Sequence, residues 1–182
     1  MPCSSLSAIL GGGVSSRLFQ QVREQQGLCY SIYSYGAGHA ETGVFCIYTA
    51  LNKETEAKAL ATIRRVIDDF LANGPTTEEL ERAREQSKAN VIMGLESTQP
   101  RMSHAGRSLL FSGEILTPEQ IIDAYDRVTR EDVVALAQEI FAWDRASLSA
   151  GARCGRRRST GSRCRDKLRF WTKNPLPVGR GF

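Results

Sequence analysis

Two side chains that can donate hydrogen bonds lie close together near the start of the chain. Arg23 falls in the last turn of a predicted helix, and Tyr30 begins the predicted strand that follows, seven positions later. A guanidinium and a phenol at one edge of a sheet can both donate to a single carbonyl oxygen. The pair therefore predicts a site that holds a peptide backbone. A structural alternative stays open, because an Arg near a helix C-terminus favours the helix dipole and a Tyr in a strand is a common packing residue.

The segment from Gly11 to Tyr35 must position this pair. It begins with three glycines, continues as an amphipathic helix and ends as a strand with aromatic residues at alternate positions, helix and strand meeting at Gly27. The apolar face of the helix is formed by Leu18, Phe19 and Val22. The three glycines allow a tight turn or close packing against a neighbouring backbone. They lack the Lys and the Ser or Thr of a P-loop, so phosphate binding is not predicted.

The string LGGGVSSRLFQQVREQQGLCYSIYSY, Leu10 to Tyr35, resembles the start of the C-terminal half of insulinase or pitrilysin family zinc peptidases. These include the mitochondrial and bacterial processing peptidases, and the order of elements out to about Ala150 is similar too. In that family the C-terminal half presents an Arg and a Tyr to the substrate. The resemblance gives these roles to Arg23 and Tyr30, as residues that bind substrate and stabilise the oxyanion, and places no catalytic residue in this chain.

No metal site is expected here. The two histidines of the chain, His39 and His104, lie far apart, and neither has a second His one helical turn away. The family holds its zinc in the N-terminal half, on an inverted H-x-x-E-H helix. The resemblance therefore implies a partner, either a zinc-bearing N-terminal peptidase half or a homologous subunit, and a chain that does not hydrolyse peptides alone.

Composition predicts one domain and a tail. The chain has 182 residues, 41% of them hydrophobic, and a net charge of +4, which suits one domain with a substantial core. Residues 151–182 hold eight Arg and two Lys against one Asp, a net charge of +9, which leaves −5 for residues 1–150. We therefore predict a peptidase-like domain over residues 1–150 and a basic tail over residues 151–182.

The tail is expected to be largely disordered, because helical and strand periodicity both disappear after Ala150. It departs from the family there and is interpreted as an out-of-frame or otherwise aberrant extension. Nucleic-acid binding stays an alternative, since Arg clusters with nearby aromatic residues can bind phosphates and stack on bases.

The cysteines and the N-terminal sequence indicate a cytoplasmic protein. The odd number of cysteines, with no C-x-x-C spacing, favours reduced structural thiols. The five cysteines are Cys3, Cys29, Cys46, Cys154 and Cys164. The N-terminus lacks the features of a signal peptide, and no run of apolar residues reaches membrane-spanning length.

The remaining pattern predicts an α+β fold, an antiparallel sheet with helices packed on one face. The strand after Gly27 pairs with Val44–Leu51 as a hairpin. Helices are predicted over Lys53–Ala72, Thr76 to about Glu96, Arg101–Phe111, Thr117–Tyr125 and Arg130–Phe141, with a last strand over Ala146–Ala150. Predicted N-caps are Thr76, Thr117 and Thr129. Within the third of these helices the residues expected to face inward are Met102, Ala105, Leu109 and Leu110.

The sequence thus predicts the non-catalytic C-terminal half of an insulinase-like zinc peptidase, which positions peptide substrate for a zinc-bearing partner. The strand Cys29–Tyr35 can also bind substrate as an added strand at its edge. A structural module that dimerises without touching substrate is an alternative. A chain separated from its other half is also expected to expose an apolar interface and to self-associate.

Overall fold

The computed structural model describes residues 1–38, 42–152 and 165–174. Its strands are β1 (Cys29–Gly38), β2 (Gly43–Asn52), β3 (Ala146–Ala152) and β4 (Arg165–Asn174). Its helices are α1 (Pro2–Gly11), α2 (Glu56–Asn73), α3 (Thr77–Gly94), α4 (Thr98–Ser112), α5 (Pro118–Asp126) and α6 (Arg130–Ile140). The strands form one antiparallel sheet in the order β1-β2-β4-β3, which confirms the α+β class. No helix in this described part is both long and apolar enough to cross a membrane.

The core lies between one face of the sheet and the helices. Alternate residues of a strand point to the same face, and Ile32, Phe45 and Ile47 are buried residues on the face of the β1–β2 hairpin that meets the core. They belong to the same apolar cluster as Leu6 of α1 and Ile67 of α2. The predicted hairpin and the predicted packing of helices on one face are both confirmed.

Three helix starts were predicted correctly because each depends on a few neighbouring residues, whereas α2 and α4 begin at Glu56 and Thr98 and not at the predicted Lys53 and Arg101. All three predicted threonine caps accept a hydrogen bond from the backbone N–H three residues later, and each is part of a reciprocal capping box. The pairs are Thr76 with Glu79, Thr117 with Gln120 and Thr129 with Asp132.

The predicted inward face of α4 is wrong. Met102, Leu109 and Leu110 are 69%, 56% and 83% exposed. Ala105 is half-buried, and Ser108 is the buried one among the α4 residues whose burial is described, which leave out residues 111 and 112. His104 lies within 3.0 Å of the Leu116 carbonyl oxygen. The apolar spacing of α4 is that of a packed helix, but three of its large apolar side chains are more than half exposed. We call Met102, Leu109 and Leu110 the α4 apolar face.

Part of the predicted tail belongs to the sheet. β4 pairs along its length with β2 and also pairs with β3, so the structure differs from the expectation of disorder over these ten residues. Backbone hydrogen bonds to two neighbours define this strand, and composition does not reveal them. The predicted strand after Asp144 is confirmed as β3, although β4 and not β3 is the last strand. The division at residue 150 stays a prediction, and Cys154, Cys164 and His39 lie outside the described residues.

The glycine run packs closely against β1, as its composition allowed. A Cβ atom on Gly11 would lie 2.5 Å from the backbone nitrogen of Ser34. On Gly13 it would meet only the flexible end of Gln86, at 3.6 Å. Gly11 therefore lets α1 approach the strand that carries Tyr30.

We expect Gly11→Ala to lower the free energy of unfolding by about 1 to 3 kcal/mol, because the added methyl group forces α1 away from β1. Gly13→Ala is the matched control and is expected to change stability by less than about 0.5 kcal/mol. Urea unfolding followed by circular dichroism measures both. Equal stability of the two variants would contradict the close packing at Gly11.

Candidate substrate-binding site

Arg23 lies on the last turn of a π-helical segment, Phe19–Glu24. The N–H of Gln25 donates to the carbonyl of Gln20 at 2.9 Å, a five-residue spacing that makes this turn wider than an α-helical one. Val22 is fully buried and anchors the segment on the core. The Arg23 side chain follows it and keeps 38% of its surface exposed.

A sharp reversal joins this segment to β1. The N–H of Gly27 donates to the Arg23 carbonyl at 2.9 Å, and the N–H of Leu28 donates to the Val22 carbonyl at 3.0 Å. Gly27 has a φ of +60°, a conformation that residues with a Cβ atom rarely adopt. The reversal brings the start of β1 back beside Arg23.

Tyr30 occupies an irregular position in β1. Cys29 pairs with Leu51 and Ser31 with Ala50, so Tyr30 is the extra residue of a β-bulge. Its side chain is 83% exposed. A β-bulge changes the direction of a side chain, and the bulge here turns the Tyr30 phenol out of the sheet on the side of Arg23.

The structure brings the two predicted residues together. The Arg23 guanidinium carbon lies 5.9 Å from the centre of the Tyr30 ring and 4.5 Å from the centre of the Phe19 ring. Both distances lie in the range of cation–π contacts. A 3.9 Å contact with Glu24 is too long for a strong ion pair. Because a guanidinium is planar, its N–H groups point away from the rings and can donate to a carbonyl oxygen.

Cys29, next to Tyr30, is a structural residue. It is a free thiol and is buried, as are Cys3 and Cys46. Burial raises the pKa of the Cys29 thiol, and this outweighs the opposing effects of the Thr49 hydrogen bond and the Arg23 charge. The thiol is therefore protonated at neutral pH and is a poor nucleophile. Burial of Cys29 and Cys46 agrees with the expectation of reduced structural thiols.

The side chains placed by the structure do not fit a zinc site. Among the described residues, no group of three or more His, Cys, Asp and Glu side chains is arranged to hold a metal ion. His104 faces the Leu116 carbonyl on another part of the chain. The chemistry available at the candidate site is hydrogen-bond donation.

Two residues that matter to this site were not singled out from the sequence. Phe19 was predicted only as an apolar helix residue, yet its ring stacks under Arg23, four residues away. Four-residue spacing on a helix was the available signal. Arg17 was missed, because its partners Asp69 and Glu79 are 52 and 62 positions away.

Arg17 fastens the glycine-rich segment to the helices. Its Nε and Nη2 donate to the two carboxylate oxygens of Glu79 at 2.7 and 2.8 Å. Nη2 also donates to the Gly74 carbonyl at 2.8 Å, and Nη1 donates to Asp69 at 3.3 Å. The side chain is 12% exposed and lies over the Phe70 ring. One shielded residue thus ties the segment that carries Arg23 to the end of α2 and the start of α3.

The Glu79 carboxylate makes stability depend on pH. Burial alone would raise its pKa, but hydrogen bonds from Arg17 and Thr76 outweigh burial and hold the pKa below the ordinary value. A pKa lowered by folding adds stability above the unfolded value, and this contribution is lost as the pH falls through the folded value.

We therefore expect the free energy of unfolding to decrease as the pH is lowered below about 4.3, the ordinary Glu pKa. A Glu79→Gln variant should show a smaller decrease over the same interval. Urea titrations at a series of pH values measure it, with the exposed Glu24→Gln as control. A Glu79→Gln profile parallel to that of the unchanged chain would contradict the assignment.

Comparison with known proteins agrees with this description. Residues 1–87 match the model of the family described as the peptidase M16 inactive domain. Zinc protease YmxG of Bacillus subtilis, itself uncharacterized, is 38% identical over 141 residues, which are 78% of this chain and 34% of YmxG. An uncharacterized zinc protease of Streptomyces coelicolor is 38% identical over 144 residues, 79% of this chain and 31% of that protein. The chain therefore spans about a third of the length of these curated relatives.

Solved structures give the same result. The crystal structure of a peptidase M16 inactive domain from Pseudomonas fluorescens has a TM-score of 0.66 and is 27% identical, covering 74% of this chain and 32% of that one. The periplasmic protease PqqL of Escherichia coli shares the fold, with a TM-score of 0.61 and 17% identity over 76% of this chain and 16% of PqqL. Residues 1–87 are therefore identified as a peptidase M16 inactive, C-terminal-type domain.

Proposed function

We propose that this chain positions peptide substrate for a zinc-bearing peptidase half through Arg23 and Tyr30. The observation that carries the proposal is the contact of the Arg23 guanidinium with both the Phe19 ring and the Tyr30 ring, which places a guanidinium next to an exposed tyrosine. The guanidinium is a charged donor and the phenol a neutral one. Two such donors close together suit a carbonyl oxygen that gains negative charge. The partner half is proposed to carry the zinc and to cleave the bond.

The residues of this chain have separate parts in that function. The buried Val22 and the Gly27 reversal fix where Arg23 and the start of β1 lie. Stacking on two rings removes rotamer freedom from Arg23 before substrate arrives, which lowers the entropic cost of binding. The bulge then presents the Tyr30 phenol without a strand partner to hold it in the sheet.

Reconstitution tests the proposal. This chain is mixed with a zinc-bearing half from the same source, and cleavage of a fluorogenic peptide is compared with cleavage by each half alone. Activity in the mixture that requires both Arg23 and Tyr30 supports the proposal. Undiminished activity in Arg23→Ala and Tyr30→Phe mixtures would refute it, and Arg107→Ala, an exposed residue of α4, is the matched control.

A second candidate function is a structural module, and the α4 apolar face favours it. Its three side chains are more than half exposed, and exposed apolar patches mark interaction sites. We propose that the occupant is the zinc-bearing half, since curated relatives are about three times as long as the matched region and include further chain that must pack somewhere.

In sedimentation experiments, Met102→Ser with Leu109→Ser should weaken association of the halves. Unchanged association, or loss of self-association only, would contradict this occupant.

We further propose a reducing compartment such as the cytoplasm for the chain. The three described cysteines are all free thiols, and free thiols are usual where glutathione keeps them reduced. Mass spectrometry after rapid acid quenching of cells reads their oxidation state. Disulfide-linked Cys29 or Cys46 would argue against this compartment.

A further inference from the structure

The face of the hairpin that points away from the core carries three tyrosines, which we call the tyrosine face: Tyr33, Tyr35 and Tyr48. Tyr33 and Tyr35 alternate with the buried Ile32 and Ser34 along β1. Tyr48 is the cross-strand neighbour of Tyr33 on β2. The three rings therefore share one side of the sheet, opposite the helices.

The rings of the tyrosine face support one another. Tyr33 stacks on Tyr48 with ring centres 4.8 Å apart and an interplanar angle of 27°. Tyr33 also lies 6.1 Å from Tyr35, with an angle of 32°. Tyr33 and Tyr35 still keep 44% and 40% of their surface exposed. Such a stacked group offers a large amphipathic surface that loses little conformational freedom when a ligand binds.

The tyrosine face lies on the same strand as Tyr30 of the candidate site. Tyr30 and Tyr33 are three residues apart on β1, a distance of about 10 Å along an extended strand. Tyr30, Tyr33 and Tyr35 are all large exposed side chains of β1. An extended peptide whose carbonyl meets Arg23 can therefore reach the tyrosines about three to five residues further along.

The other route along β1 is restricted by α1. Although β1 is at the edge of the sheet, Ser7 Oγ donates to the Ser34 carbonyl at 2.8 Å and Ser34 Oγ donates to the Ser7 carbonyl at 3.1 Å. One backbone acceptor that an added strand would use is thus occupied. Strand addition at Cys29–Tyr35 is limited at Ser34, whereas Tyr33 and Tyr35 of the tyrosine face keep exposed surface.

We propose that the tyrosine face is an accessory subsite that binds an aromatic or aliphatic side chain of the peptide, three to five residues from the carbonyl held by Arg23 and Tyr30. This rests on the proposed function, because it takes the peptide to be anchored there. Aromatic pairing at a partly exposed site increases affinity by roughly two-fold to ten-fold. The effect is expected mainly in binding, since a contact remote from the scissile bond is the same before and during reaction.

Direct binding of uncleaved peptides to the full chain tests this inference. Peptides labelled with a fluorophore differ only in Phe or Ser at one position, scanned three to five residues on either side of a fixed central bond. Anisotropy should give a Kd two-fold to ten-fold lower for Phe than for Ser at one or more positions. Tyr33→Ser should abolish that preference, whereas Tyr33→Phe, which keeps the ring, should retain it.

Two outcomes separate this inference from the proposed function. Equal Kd values for Phe and Ser peptides at every position, or a preference that survives in Tyr33→Ser, would overturn the accessory subsite. Arg23→Ala should weaken both peptides by the same factor and leave the Phe preference in place. If Arg23→Ala left both affinities unchanged, the anchoring role would fail, and the subsite as stated would fail with it.

Discussion

Replacing Arg23 with Ala is expected to lower kcat for peptide cleavage by the reconstituted halves by roughly 10²-fold to 10³-fold, the usual cost of removing one oxyanion donor. The change deletes a guanidinium held by the Phe19 and Tyr30 rings at 4.5 and 5.9 Å. Among the described residues, the ion pair that Arg23 makes is with the acidic Glu24, which cannot replace a cation. The loss should appear in kcat more than in KM, because the donor acts on charge that develops in the transition state.

Two conservative variants sharpen this result. Arg23→Lys keeps the charge but loses the planar fork and the ring stacking, so it should recover only part of the rate. Tyr30→Phe removes one hydroxyl group and leaves the ring under Arg23. If the phenol donates to the same oxygen, kcat should fall by about 10²-fold. Full activity of Tyr30→Phe with a large loss in Arg23→Ala would reduce the site to the guanidinium alone.

Replacing Arg17 with Ala should lower the free energy of unfolding by about 3 kcal/mol. It would leave the Glu79 carboxylate, which is 21% exposed, without its bidentate partner and the Gly74 carbonyl without a donor. Breaking a shielded ion pair from one side costs far more than breaking an exposed one, since a charge is left desolvated. Arg64→Ala is the control, because the Arg64 and Asp68 side chains of this ion pair are 64% and 51% exposed. Although Arg64 also contacts the Trp143 ring, its replacement is expected to lower the free energy of unfolding by about 1 kcal/mol or less.

A double variant identifies the origin of that loss. In Arg17→Met with Glu79→Gln, no charge is left unpaired, so we expect stability between that of Arg17→Ala and that of the unchanged chain. Chemical unfolding at pH 7 measures the unchanged chain, the double variant and the single variants Arg17→Ala, Arg17→Met and Glu79→Gln. If the double variant lost as much free energy of unfolding as the two single variants lose together, the loss would come from packing over Phe70 and not from the carboxylate left without its partner.

The sequence predicted what short stretches of chain determine. Thr76 and Glu79 form their capping box within four residues, and Arg23 and Tyr30 meet because one reversal at Gly27 separates them. The bulge that exposes Tyr30 could not be predicted, because it depends on pairing with Leu51 and Ala50 across the hairpin. The Arg17–Glu79 pair spans 62 positions and has no local pattern.

The errors have a physical origin as well. Apolar spacing on α4 predicts which side chains share a face, but it does not show whether anything covers that face, and Leu110 is 83% exposed. Likewise the basic composition of residues 165–174 gave no strand periodicity, while backbone pairing on both sides makes β4 a strand. For β4 the deciding partner, β2, is distant in the sequence, and for the α4 apolar face no cover is found among the described residues.

The Glu79 carboxylate has one more consequence, for local opening of the native state. Its Oε2 accepts from both the Thr76 N–H and Arg17 Nη2, each at 2.8 Å. The first turn of α3 therefore cannot fray without loosening the segment that leads to Arg23. Amide hydrogen exchange should show these two regions opening as one cooperative unit with a common protection factor. Mobility at Arg23, the residue proposed to bind peptide, is in this way coupled to a helix end outside the proposed site.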